Sequence, residues 1–389
     1  MYDSPHQFLP LSPAEHWLEP LRERAAKVVD LAGELAGHAH PTARHALREL
    51  LRSMNSYYSN RIEGQSTTPA NIEAALRHQY SGKPEIARLQ RIAVAHIEAE
   101  REAEAQAMRD DARVAPLDAG FARLVHRALY RRLAPSDRTT EDGIVVEPGE
   151  LRKGEVNVGR HLAPAAQSLP RFMEAYSRHY DRPRSHDAQL IAIACAHHRM
   201  VWMHPFADGN GRAARLQTQA AMLPVTRGLW SVNRGLARDV RGYYGHLAAA
   251  DAPRQGDLDG RGNLTERGLL NWIDYFIGIC EDQVGYMSDM LSLDSMRRKI
   301  LAAVQVAAAR HGLRTEAALP IYHLFAAGPL ARGDFIRMTG LAERTGRAVL
   351  AATLKYGLAV SDTSHAPVRF AFPIAALPIL LPALYGPEQ

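Results

Sequence analysis

With 389 residues, 46% of them hydrophobic and 23% charged, the chain has globular composition and material for two or three domains, which excludes a disordered or fibrous protein. The formal net charge is +5, and the excess sits late: residues 297–389 hold eleven Lys or Arg against five Asp or Glu. The N-terminal stretch MYDSPHQFLPLSPAEHW lacks the basic-then-apolar layout of a signal peptide and no uncharged apolar run reaches bilayer length, so a soluble, cytoplasmic protein with no membrane partner is expected.

Most of the chain reads as helix, with Ala, Leu, Arg and Glu recurring at three- and four-residue spacing. In SNRIEG (59–64), Ser59 and Glu63 share one helix face and Gly64 is a good helix stop. Thr68 and Pro69 mark a helix start, and residues 85–108 read as a further helix. The interval 139–164 alternates apolar residues with turn formers and is expected to be a β-hairpin or flap. A long apolar helix runs from about His186 to Met203 and should end near His204, because Pro205 disfavours helical geometry in the residue before it. A new helix opens within GNGRAARLQTQAAML, so HPFADGNGRAAR (204–215) is a loop that starts that helix. After a polar loop at 251–263, helices follow at 265–291 and from Ser295. Cys195 and Cys280, too few for a disulfide framework, fall in apolar helical stretches as core residues.

The 204–215 loop carries the chemistry. A helix N-terminus offers unpaired N–H groups and partial positive charge to an anion. Gly209 and Gly211 let the backbone approach that anion closely, and Asn210 can donate to a phosphate oxygen. Arg212 and Arg215 project from neighbouring faces of the first turn, where two guanidinium forks suit a polyphosphate. Asp208 supplies a hard oxygen ligand of the kind that holds magnesium together with substrate phosphates. His204, with an ordinary pKa of about 6.5, is the natural general base. Together these residues point to attack of a weak nucleophile, such as a hydroxyl, on a nucleotide phosphate.

At every fixed position the loop resembles the Fic (filamentation induced by cAMP) signature, H-P-F-x-[D/E]-G-N-G-R-x-x-R. The resemblance extends over the preceding helix and GELRKGEVNVG, so residues 115–291 read as the catalytic core. It implies a mainly α fold: a helical Fic core with a β-hairpin flap, and a C-terminal winged helix-turn-helix. It implies a protein adenylyltransferase that moves AMP from ATP, with magnesium, onto a hydroxyl of an unknown target protein or of itself. His204 would deprotonate the hydroxyl and Asp208 would hold Mg2+. Gly209, Asn210 and Gly211 would form the anion hole, Arg212 would hold the triphosphate, and Arg215 would meet the γ-phosphate. Lys153, Gly154, Glu155, Val156, Asn157 and Val158 would align the target by strand pairing. Tyr243 and Tyr244, in YYGHL, resemble the segment near the adenine. SNRIEG, in the N-terminal region 1–114, resembles the family's inhibitory motif, [S/T]-x-x-x-E-[G/N]. Glu63 would pair with Arg215 and displace the γ-phosphate, or assist removal of AMP in the reverse reaction. A homodimer is common in the family.

In 295–389, residues 329–373 read as a short helix, a turn at Thr339-Gly340, a second helix from about Glu343, and two strands. This resembles the winged-helix domain often fused to Fic cores. Arg344, Arg347 and Lys355 would line its second helix, where DNA readers place groove contacts, while packing on the core or binding protein is the other reading. Two alternatives stay open. One is a DNA-binding regulator with the Fic core as nucleotide sensor. The other is a metal-dependent phosphohydrolase built on His186, Asp187, His197, His198 and His204.

Overall fold

The computed structural model describes residues 2–109, 114–158 and 161–386, with positions 157 and 158 described for their backbone only. It is predominantly helical, as the periodicity anticipates. Helices α1 (Glu19–Leu35), α2 (Pro41–Ile62), α3 (Pro69–Leu76) and α4 (Pro84–Ala107) come first. Thr68 caps α3 by accepting the Asn71 N–H at 3.2 Å, with Pro69 in the first turn, where a missing N–H costs nothing. Helix α5 (Ala119–Tyr130) is capped by Asp118, whose carboxylate accepts the Gly120 N–H at 2.6 Å.

The interval expected to be a β-hairpin or flap holds two separate antiparallel pairings. Thr139 bridges Val145, and strands β1 (Asn157–Val158) and β2 (His161–Leu162) pair in the register Asn157 to Leu162 and Val158 to His161. Helices α6 (Leu169–Tyr180), α7 (His186–Met203), α8 (Asn210–Thr226), α9 (Val232–Arg238), α10 (Val240–Ala250) and α11 (Glu266–Leu291) follow. Then come α12 (Leu293–His311), α13 (Ala318–Ala326), α14 (Arg332–Met338), α15 (Glu343–Tyr356), strands β3 (Ala359–Val360) and β4 (Arg369–Phe370), and α16 (Leu377–Leu380).

The chain divides into two compact units. One comprises Met1–Asp30, Asn55–Thr226 and Ser231–Gln283; the other comprises Leu31–Met54, Arg227–Trp230 and Val284–Gln389. In the first, α7 and α8 are buried along nearly their whole length and pack on each other, with α4 and α5 against α8. Because both helices are buried, the loop joining them is anchored at both ends by the core. Cys195 and Cys280 are both buried and free.

In the second unit, α14 and α15 pack together across a turn at Gly340, followed by β3 and β4, paired antiparallel. Leu330 adds an isolated antiparallel bridge to Val368. Phe325, Phe335, Val349, Leu350 and Phe370 are buried in this unit. Among the described residues, no helix is long and apolar enough to cross a membrane.

Candidate active site

The site is built on the turn from α7 to α8. Helix α7 ends on His204, held in the left-handed region at φ 48° and ψ 57°. Few residues without a glycine's freedom adopt this conformation, though His is among those enriched in it, and such positions cluster where function fixes geometry. Gly209, at φ +76°, lies against the Tyr130 ring so closely that a Cβ would stand 2.5 Å from its hydroxyl. The Asn210 side chain is engaged within the loop. Its Oδ1 accepts from the Phe206 N–H at 2.8 Å and its Nδ2 donates to the Phe206 carbonyl at 2.9 Å, so the side chain closes the loop. The N–H groups of the first turn of α8 remain for an anion.

Helix α5 braces this turn through two residues one turn apart. Tyr130 donates its hydroxyl to Asp208 Oδ2 at 2.6 Å, and His126 Nε2 lies 3.1 Å from the Asp208 carbonyl oxygen. His126 Nδ1 accepts the Gly149 N–H at 2.9 Å, so Nε2 carries the proton and donates it to that carbonyl. The His126 ring stacks on Phe206 at 3.9 Å and on Tyr130 at 4.4 Å. Burial pulls the His126 imidazole down to about 4, which keeps it neutral in this bridging role.

Burial likewise pulls His204 down to about 4, opposed by the Val201 backbone and reinforced by Arg152 and His161, with Glu63 opposing. The imidazole is therefore unprotonated, and able to accept a proton, throughout the neutral range. Burial raises Asp208, but Arg212 and the Tyr130 hydroxyl outweigh it and hold the carboxylate below its ordinary range. Its side chain is 45% exposed.

Two arginines of α8 lie beneath the turn. Arg212 donates to Asp208 Oδ2 at 3.0 Å, to the Tyr130 hydroxyl at 2.8 Å and to Gln65 Oε1 at 3.0 Å. Arg215, 1% exposed, donates through Nε to the Ser59 hydroxyl at 3.0 Å, and through one terminal nitrogen to the Ser59 carbonyl at 3.1 Å and Glu63 Oε1 at 2.5 Å. Burial acts against its charge, but Glu63 first and Tyr243 next more than offset that, so its pKa rises.

The end of α2 is shaped to deliver Glu63. Gly64, at φ +70°, sends its N–H to the Arg61 carbonyl at 3.0 Å, and Gln65 sends its N–H to the Asn60 carbonyl at 2.8 Å. This paired closure is the Schellman helix ending, which needs a left-handed residue at Gly64. It sets Glu63 and Gln65 against Arg215 and Arg212 respectively. The Glu63 carboxylate reaches into the first turn of α8 itself, where a methyl group on Gly211 would collide with Oε1.

Other anticipated residues are placed differently. Tyr243 is buried, with its hydroxyl 2.9 Å from His197 Nε2, so it supports the site from behind. Tyr244 is 46% exposed and donates to the Ile62 carbonyl at 3.4 Å, beside the end of α2. Of the docking residues, Lys153 and Gly154 are exposed and Val156 is half-buried. Glu155 is exposed too, and its carboxylate accepts the Ala166 N–H at 3.2 Å. The side chains of Asn157 and Val158 lie outside the described residues. His197 Nδ1 also meets the Thr218 hydroxyl at 2.8 Å, and His198 bonds Asp251 and the Leu247 carbonyl. Among the described residues no group of three His, Cys, Asp or Glu is arranged to hold a metal. The single carboxylate of Asp208 fits a magnesium ion that arrives with substrate phosphates, rather than one caged by protein alone.

Sequence reading missed Gln65, His126, Tyr130 and Arg152. Gln65 directly follows the helix stop at Gly64, and His126 and Tyr130 share a helix face, so both carried a spacing signal without a partner to interpret it.

The buried turn of this helical core thus brings together a neutral histidine, a carboxylate and two deep arginines at a helix N-terminus. The sequence model of the Fic/DOC family matches residues 116–222, and the chain carries a Fic/DOC family domain. Proteins named protein adenylyltransferase Fic from Drosophila melanogaster and Drosophila sechellia are each 38% identical over 72 residues, or 18% of this chain. The chain matches only 15% of the length of those relatives. Among solved structures, a Fic family protein from Desulfovibrio desulfuricans has a TM-score of 0.50 at 20% identity, covering 90% of this chain and 96% of that one. A Fic domain containing signaling protein from Bacteroides thetaiotaomicron also has a TM-score of 0.50, at 18% identity, covering 68% of this chain and 96% of that one. These likenesses establish the fold.

Proposed function

We propose that this protein transfers AMP from ATP to a hydroxyl of a protein substrate, itself included, and that Glu63 restrains the reaction. The observation that carries this reading is the 2.5 Å ion pair between Glu63 and the buried Arg215, at the first turn of α8. A carboxylate from the same chain sits beside Arg215 at the first turn of α8, which supports reading the turn as an anion site and the carboxylate as a competitor for it.

In the reaction, the substrate oxygen attacks the α-phosphorus of ATP, the bond to the β-phosphate bridging oxygen breaks, and pyrophosphate leaves. His204 takes the hydroxyl proton. The N–H groups at the start of α8, with Arg212 behind them, hold the phosphates in line. Asp208, fixed by Tyr130 and Arg212, would hold magnesium, which supplies charge neutralisation on the phosphates when bound. Release of Glu63 frees Arg215 for the γ-phosphate. Such a charge-assisted bond is worth about 1.5–3 kcal/mol, or roughly 10- to 150-fold in rate.

The test is incubation of the Glu63→Gly protein with a cell lysate and ATP labelled at the α- or the γ-phosphate, with His204→Ala as control. Label entering protein from the α-position alone supports AMP transfer. Label from the γ-position, or nucleotide hydrolysis without protein labelling, overturns it.

A further inference from the structure

Arg152 lies at the foot of the flap, before β1, and its side chain is 1% exposed. Each arm of its guanidinium meets a different backbone segment. Nε donates to the His204 carbonyl at 2.8 Å, one terminal nitrogen to the Gly154 carbonyl at 2.8 Å, and the other to the Pro164 carbonyl at 2.5 Å. The Arg152 N–H donates to the Pro205 carbonyl at 2.9 Å. Gly154 precedes β1 and Pro164 follows β2, so a single side chain joins both stems of the hairpin to the left-handed residue that ends α7.

This is a costly way to tie a loop. A buried cation loses its hydration, and that loss is recovered only where geometry is excellent and its protons are matched. The nearest carboxylate, Glu155, is 3.6 Å away and 47% exposed, so backbone carbonyls do most of the matching. A planar fork with donors in fixed directions can span three carbonyls, whereas a lysine ammonium cannot reproduce that spread. The joint is completed at the hairpin's other strand, where His161 Nε2 lies 2.7 Å from the Trp202 carbonyl, two residues before His204.

Resting on the transfer reading above, we propose that Arg152 is a positioning residue: it fixes the spacing between the hairpin that receives the substrate segment and the histidine that accepts its proton. It touches neither nucleotide nor substrate. It acts through the His204 carbonyl and the two hairpin stems. Its charge also faces the His204 imidazole, together with His161 and Glu63, so removing it has an electrostatic consequence as well as a geometric one.

The experiment places Arg152→Lys and Arg152→Gln in the full-length Glu63→Gly protein. Self-modification with α-labelled ATP, ATP affinity by calorimetry, thermal unfolding, and the His204 titration by NMR are measured on each. Arg152→Lys should lower kcat by about tenfold or more with KM and Kd for ATP within about twofold, and leave the His204 titration in place. Arg152→Gln should lower kcat similarly and move the His204 titration upward, because a like charge has gone.

Transfer by both variants at the parent rate, or loss of ATP binding in step with transfer, would overturn the assignment. The NMR titration remains readable if the parent transfers nothing. In that case a shifted His204 in Arg152→Gln upholds the joint while the transfer reading falls, and an unshifted one removes both. If Arg152→Gln does not fold, Arg152→Lys alone decides through the split between kcat and ATP affinity.

Discussion

The α7–α8 turn in the first unit and helices α14 and α15 in the second use arginine in opposite ways. In the first, Arg212 and Arg215 are buried, and each meets partners from distant segments: Gln65 and Tyr130 for one, Ser59 and Glu63 for the other. In the second, Arg347 pairs with Glu343 on its own helix at 2.5 Å and Arg337 pairs with Asp334, both in the open. Exposed pairs of this kind are worth about 0.2–1 kcal/mol and screen readily with salt. A buried guanidinium depends on partners supplied by the fold, so its surroundings constrain what it can meet; an exposed one is satisfied locally and constrains little.

Experiments can test this difference, beginning where the effect should be greatest. His204→Ala should reduce AMP transfer by about 10²- to 10⁴-fold, read as label incorporated per minute, if this histidine is the base. Acid should then act on the first unit as a whole. His96 and His197 are pulled to about 3, and His126 and His204 to about 4, mainly by burial. The unfolded chain binds these protons below about pH 6.5 and the folded chain does not. Stability present above pH 6.5 is therefore lost as pH falls towards 4, on the order of several kcal/mol. A thermal midpoint that holds steady between pH 6.5 and 4.5 would contradict this.

Next in size, Glu63→Gly should raise transfer roughly 10- to 150-fold, and equal rates in the two proteins would remove the restraint. Tyr130→Phe deletes the hydroxyl shared by Asp208 and Arg212 and should cost about 0.5–1.5 kcal/mol in transfer, near threefold to tenfold, with a higher magnesium requirement. At the small end, Arg347→Ala should change unfolding by less than about 0.5 kcal/mol. It should alter DNA binding only if gel shifts with the full chain weaken steeply with salt, the mark of phosphate contact.

Much of the site was legible because its signals are local. Pro205 ends α7, the glycines open α8, and Gly64 stops α2 four residues or fewer from the side chains it helps to aim. The three- and four-residue spacings placed Ser59 with Glu63 and Arg212 with Arg215 for the same reason. Illegible residues act through tertiary packing. Nothing in the spacing of His126, Tyr130 or Arg152 reveals that the chain folds each of them onto the 204–208 loop. Asn210 misled for a related reason: an amide beside two glycines looks free to donate, yet the loop spends it on Phe206. Tyr243 and Tyr244 are adjacent in sequence, but one turns inward to His197 and the other stays at the surface.

The left-handed backbone at His204 bears on how an inert version of this protein should be made. Alanine there removes the imidazole but also leaves a residue with little tolerance for that conformation, so chemistry and loop shape change together. Asparagine tolerates it far better. His204→Asn is therefore the cleaner negative control for trapping a bound substrate, since the loop keeps its path while the proton acceptor is gone.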